Sequence, residues 1–298
     1  MLQDEKGPSA DSPSPSREDS PMGRIPNSPK SPSRPSLGSR AWSHLNETVR
    51  ASVVVEIELL ILTFCIGLQD AISFPDFHCF ASNQTGNTVF LMLAVVLPEA
   101  NGDMFYTANI AIALGFFLTG AWLTGQLGHI IGPRRRCWLV LCNLIQTCLV
   151  SVAAAVQYTY SPFRHGSSGL ALDAGGTPTA STLWAIGLLG LAAGSQVVQA
   201  RSFRMTEITT AMATAAWVDL VIDPALLALR NRGRNRRIGF LATLVLGTMA
   251  GAFVFRRLGS PPALVISAAG KLLVTVMYLF NPAERPKAEE RENPEDSA

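Results

Sequence analysis

The chain has 298 residues, of which only 15% are charged, and a mean hydropathy of +0.25. A soluble domain carries about 25% charged residues, so an ordinary water-soluble globule is excluded. The net charge of +2 is spread over short loop clusters without interleaved aromatics, which excludes a nucleic-acid-binding face.

Residues 1–50 read as a disordered, Ser/Pro-rich cytosolic tail. Ten of the first 40 residues are Ser and eight are Pro, with no apolar periodicity. Such a segment buries too little apolar surface to offset its ordering entropy. Five Ser-Pro steps lie in it, and those at Ser14 and Ser31 also place Arg three residues on. Both serines are candidate phosphorylation sites. The Asn46-Glu47-Thr48 sequon is not expected to be glycosylated on a cytosolic tail.

Eight apolar runs follow, at about 53–74, 86–97, 105–127, 138–158, 183–200, 208–222, 237–255 and 262–280. Six are long enough for a hydrocarbon layer of about 30 Å. The runs at 86–97 and 208–222 are short and closed by Pro98 and Pro224. Backbone exposed to lipid must be helical, so these two are expected to be broken or re-entrant helices packed inside the protein. The expected fold is an all-α integral membrane protein with six full transmembrane helices and two short ones. Its membrane domain covers 51–281, with halves at 53–158 and 183–280, and residues 282–298 form a charged tail.

Loop charge orients the spans. If all eight runs crossed, Arg134-Arg135-Arg136 and the five arginines from Arg230 to Arg237 would fall on opposite sides. With six crossings both clusters share one side with both termini, which the excess of Lys and Arg in short loops identifies as cytosolic. Arg256-Arg257 would then lie outside, against the trend.

Polar groups are costly inside a bilayer and mark functional sites there. One cluster sits at the end of the first run, with Gln69, Asp70, Asn83, Thr85, Gly86 and Asn87. A second follows the fifth run, with Gln196, Gln199, Thr209, Thr210 and Asp219. In both halves a long span ends in Gly-x-Gln, a polar link follows, and a short small-residue helix comes next. Three full spans per half give the halves opposite topology, the inverted-repeat build of secondary transporters.

Asp70 could hold a cation or carry a proton, and the neighbouring amides and hydroxyls could line a path or bond between helices. Asp219 and Asp223 share a helical face and are expected to meet the Arg230–Arg237 arginines. Lys271, in the middle of the last run, needs a carboxylate or carbonyl partner. Glu56 and Glu58 are expected at the headgroups. The glycines of the run at 105–127 indicate close helix packing.

The pattern Gly67-x-x-Asp70-Ala71-x-x-Phe74 with Thr85-Gly86-Asn87, and the later Gly194-x-Gln196 and Thr209-Thr210, resembles the YoaK-like family of membrane proteins, catalogued as domain-of-unknown-function family 1275. The resemblance covers about residues 53–280 and implies a polytopic membrane protein without assigned chemistry. The second half departs from the pattern. It has Val197-Val198 where the family shows Asn-Ala, and Ala213-Thr214 where a second Thr-Gly is usual, which argues against a symmetric two-site mechanism.

Cys65, Cys79, Cys137, Cys142 and Cys148 form no C-x-x-C pair, and no histidines stand at a metal-ligand spacing. No hydrolase, zincin or phosphate-loop motif is present. No cofactor and no catalytic residue are expected, so an embedded enzyme ranks last. The leading expectation is a secondary transporter or permease-like protein for an unidentified small-molecule solute, in the plasma membrane or an internal membrane. The alternative is a non-transporting scaffold or accessory subunit regulated through its tail. Partners are the lipid bilayer and the solute, with homo-oligomerisation open.

Overall fold

The computed structural model describes residues 37–160 and 176–284, and among these the secondary structure is helical, with no strands beyond isolated bridges. Ser14 and Ser31 lie outside the described residues, as does most of the loop at 159–182. The helices are α1 (Leu37–Asn46), α2 (Val53–Phe77), α3 (Gln84–Val96), α4 (Thr107–Ile131), α5 (Arg136–Tyr160), α6 (Ala180–Ser202), α7 (Ala213–Val221), α8 (Arg232–Leu258) and α9 (Ser260–Phe280).

Five of them, α4, α5, α6, α8 and α9, are long and apolar enough to cross a membrane. That is one fewer than the six expected from the apolar runs. α2 matches them in length, at 25 residues, but carries Glu56, Glu58, Asp70 and Asp76. α3 has 13 residues and α7 has nine. At 1.5 Å per residue they reach only about 20 Å and 14 Å, short of a 30 Å hydrocarbon core.

Both basic clusters lie on one face of the bundle. Glu56, in the first turn of α2, pairs with Arg236 at 2.6 Å and with Arg232, both in the first turns of α8. The Val49 amide donates to the Arg134 carbonyl at 2.9 Å, and the Glu284 amide donates to Thr48 at 2.7 Å. The start of α2, the α4–α5 turn, the start of α8 and the chain after α9 therefore share this basic face. At the opposite face the Asn109 amide, in α4, donates to the Phe77 carbonyl at the end of α2, at 2.7 Å. Residues 37–50, which the sequence assigns to the tail, are folded here. The α1 helix is followed by a segment pinned between the α4–α5 turn and the residues just after α9, with Val49 fully buried.

The most extensively packed helix pairs are α4 with α6 and α2 with α8. Glycines make both possible. A Cβ on Gly67 would stand 2.7 Å from the Leu244 carbonyl oxygen and 2.8 Å from the Thr248 amide. A Cβ on Gly194 would run into the Phe117 carbonyl and come within 3.0 Å of the Ala121 amide. Gly120 and Gly247 meet the backbones of Leu191 and Phe64 in the same way. Each residue of one contact has a counterpart in the other at a common offset of 127 positions (194 − 67, 247 − 120, 244 − 117, 191 − 64).

Candidate functional site

α2 ends with Pro75 inside its last turn, and His78 adopts a left-handed φ of 53° that turns the chain back. The returning segment is tied to α2 by Asp70. The Ser82 amide donates to Asp70 Oδ1 at 3.1 Å, and the Ser82 hydroxyl donates to Oδ2. Asp70 stands seven residues before the end of α2, so the chain folds back about 10 Å before α3 begins. Asn87 clamps the fold-back. Its Oδ1 accepts from the Phe80 amide at 2.9 Å, and its amide donates to the Phe80 carbonyl at 2.7 Å and to Gln84 at 2.8 Å. Asn83 caps α3 by accepting from the Gly86 amide.

The second half makes a similar excursion from the basic face. After α6 the chain passes Arg204 and Thr210, at φ of 56° and 62°, and re-enters as α7. Thr209 closes the turn, donating to the Met212 carbonyl at 3.0 Å and accepting from its amide. The N-cap residue of α7, Met212, makes no side-chain cap bond.

The two short helices begin at one cavity of about 630 Å³. Asp70, Asn83, Gln84, Thr85 and Gly86 line it from the first half. Val197, Val198, Arg201, Met212, Leu244 and Thr248 are among its walls from the second. Several lining residues are equivalent at the 127-residue offset, Asp70 with Val197, Phe117 with Leu244 and Ala121 with Thr248. The walls differ in character. The first half presents a carboxylate, amides and hydroxyls, while the second is largely apolar apart from Arg201 and two threonines.

Of the residues singled out in the sequence, Asp70, Asn83, Thr85 and Gly86 line the cavity. Gln69, Gln196 and Gln199 do not. Gln69 is fully buried and donates to the Ser267 hydroxyl at 2.7 Å. Gln196 donates to the Leu62 carbonyl at 3.0 Å and accepts from the Lys271 ammonium. Gln146 accepts from Lys271 at 3.3 Å and donates to Gln199 at 2.9 Å. These residues form a buried polar layer joining α2, α5, α6 and α9, and its lysine partners are carbonyl oxygens of side-chain amides.

Asn87 braces the fold-back from within. Thr209 and Thr210 belong to the turn before α7, and Asp219 stands 3.9 Å from Arg237, which also reaches Asp223 at 3.3 Å. Glu58, expected at the headgroups, is fully buried, its Oε2 accepting from Asn281 at 2.9 Å. It faces the bundle because position 58 lies on the same helical stripe as the buried Val55, Leu62 and Cys65.

Sequence reasoning missed the cavity walls on α4 and α8. Phe117 and Leu244 look like ordinary lipid-facing residues, and only the offset linking Gly67 to Gly194 would have paired them. Arg201, with Arg204 and Glu207 in the link after the second Gly-x-Gln, reads from sequence as part of a charged lid or, more simply, as a solvated interface residue.

A family model described as "protein of unknown function (DUF1275)" matches residues 59–277. The chain belongs to this family. The family match takes in every cavity residue named above and both short helices, and it omits α1. Neither the curated proteins nor the solved structures provide a significant match.

Proposed function

We propose that this DUF1275 member is a secondary transporter or permease-like protein for a small molecule, built as an inverted repeat. The observation that carries the reading is the single cavity at which two short helices, one from each half, begin. Discontinuous helices meeting near the midplane, where they form the solute site, are the recurring design of such proteins. In this reading α2 is a sixth crossing, its carboxylates facing protein rather than lipid. The basic face is cytosolic, as short arginine-rich loops require, and both termini lie there. The membrane is the plasma membrane or an internal one. The protein binds and releases its solute without covalent chemistry, and Asp70 is the residue placed to respond to it.

The reading is tested with single cysteines at Thr85 and Thr214, in a background lacking Cys137 and Cys148, the two native cysteines that are not buried. Membrane-impermeant thiol reagents are applied from each side of sealed vesicles. Both residues line the one cavity, so transport by alternating access requires Thr85→Cys and Thr214→Cys to label from each side in turn. Protection from both sides would remove the reading. It would favour the non-transporting scaffold, for which the bonds tying Ser82 to Asp70 speak, because they make the carboxylate a brace.

A further inference from the structure

We infer that the solute of this cavity is a small zwitterion with its two charges at opposite ends of an apolar linker. The inference rests on the transport reading of the same cavity and names the class of molecule it takes.

Two opposite charges line the cavity without being paired to each other. Asp70 offers a carboxylate with about four acceptor positions, of which Ser82 occupies two. A cationic group fits what remains, since a carboxylate can only accept. Arg201 is the one basic residue of the lining. Among the described residues its guanidinium makes no ion pair, and its recorded contact is to the Met212 sulfur at 3.0 Å. Thioether sulfur is a weak acceptor, so the fork that binds carboxylates and phosphates bidentately is left available. The start of α7, whose Ala213, Thr214 and Ala215 also line the cavity, adds positive dipole at the same end.

Beside the amides and hydroxyls of the first half, the lining holds an apolar set, Val197, Val198, Phe117, Ala121 and Leu244. A neutral solute would leave both charges without a counter-charge. A simple anion would face Asp70 with like charge, and a simple cation would face Arg201. A zwitterion satisfies both ends and lays its linker on the apolar wall, so the cavity selects by repulsion as well as attraction. Asp70 lies about 10 Å inside one face, and Arg201 is the penultimate residue of α6 at the other. The linker is therefore longer than the single carbon of an α-amino acid.

The test uses the full chain in nanodiscs and a ladder of ω-amino acids, from 4-aminobutanoate through 6-aminohexanoate to 8-aminooctanoate, with binding read by calorimetry. The controls are the carboxylic acid and the amine of the same length. One member of the ladder should bind at least tenfold more tightly than either control, and Arg201→Gln should erase its advantage over the amine. Arg201 is exposed and pairs with no acid among the described residues, so this variant is expected to fold. Binding of zwitterions no tighter than their singly charged controls, no saturable binding at all, or full affinity in Arg201→Gln would each overturn the inference. Flux in proteoliposomes separates the two readings. Zwitterion binding without flux retains the inference and removes transport. Flux of singly charged solutes without zwitterion binding does the reverse.

Discussion

At the scale of single residues, the fold depends on glycines at close backbone approaches and on amides that satisfy a re-entrant backbone. Gly120 and Gly115 lie in the same helix but differ in surroundings. A Cβ on Gly120 would strike the Leu191 carbonyl, while Gly115 has nothing within 4 Å. Gly120→Ala should destabilise the protein by about 1–3 kcal/mol through overpacking. Gly115→Ala should stabilise it by about 0.5–1 kcal/mol through helix propensity. Thermal unfolding in detergent checks both signs. Asn87→Ala would strip the Phe80 amide and carbonyl of their partners. It should cost about 1–3 kcal/mol for each group left buried and unsatisfied. The same unfolding assay should show a clear drop, along with faster labelling of Thr85→Cys as the fold-back loosens.

At the scale of elements, the two short helices are held differently. α3 is held by side chains on both sides of its start, Asp70 through Ser82 and Asn87 through Phe80. α7 is held mostly at its far end, where Asp223 organises the link to α8. Asp223 accepts from the Ala225 amide at 2.8 Å and from Asn231 at 3.0 Å, and Arg237 lies 3.3 Å away. The Ala225 amide first, then Asn231 and Arg237, hold this carboxyl below the usual carboxylate range. A depressed folded-state value stabilises above the ordinary pKa and is lost as pH falls through the folded one. Limited digestion of the 222–231 link by an acid protease should therefore accelerate as pH drops below about 4. Asp223→Asn should show the fast rate at every pH.

At the scale of the whole molecule, the segment before α2 acts as a clasp. Its Val49 is buried, Thr48 pairs with Arg135, and the Arg50 amide donates to the Pro282 carbonyl at 3.0 Å. Arg136, itself buried, donates to the Asn281 carbonyl at 2.5 Å and meets Glu47 at 3.1 Å. These contacts join the N-terminal segment, the α4–α5 turn and the chain after α9 on one face. Deletion through Arg50 should lower the unfolding temperature in detergent. Deletion stopping at Asn46, which removes α1 but keeps the segment 47–50, should lower it less.

Much of this architecture was legible in the sequence because a bilayer constrains a chain so strongly. Apolar runs of about 20 residues can only be helices there, and runs too short to cross must pack inside the protein. The Gly-x-Gln steps at Gly67 and Gly194 and the polar cluster after α2 stand out for the same reason, since a polar residue among apolar ones needs a partner. Periodicity could not say what those partners are. Gln69, Gln196 and Gln199 are amides of one chemical type, whether they line a cavity or bond to Ser267 and Lys271, so sequence placed them on the path and the packing placed them in a buried layer. Asp219 likewise has the same composition as a site carboxylate, and only Arg237 beside it decides otherwise. The sequence by itself determined the membrane class, the long helices and the two short interruptions, because these follow from local hydrophobicity and length. Tertiary structure alone decided that both short helices open on one cavity with Asp70 and Arg201 in its walls. That depends on contacts between residues far apart in the chain, such as Gly67 with Leu244 and Gly194 with Phe117, which no local pattern encodes.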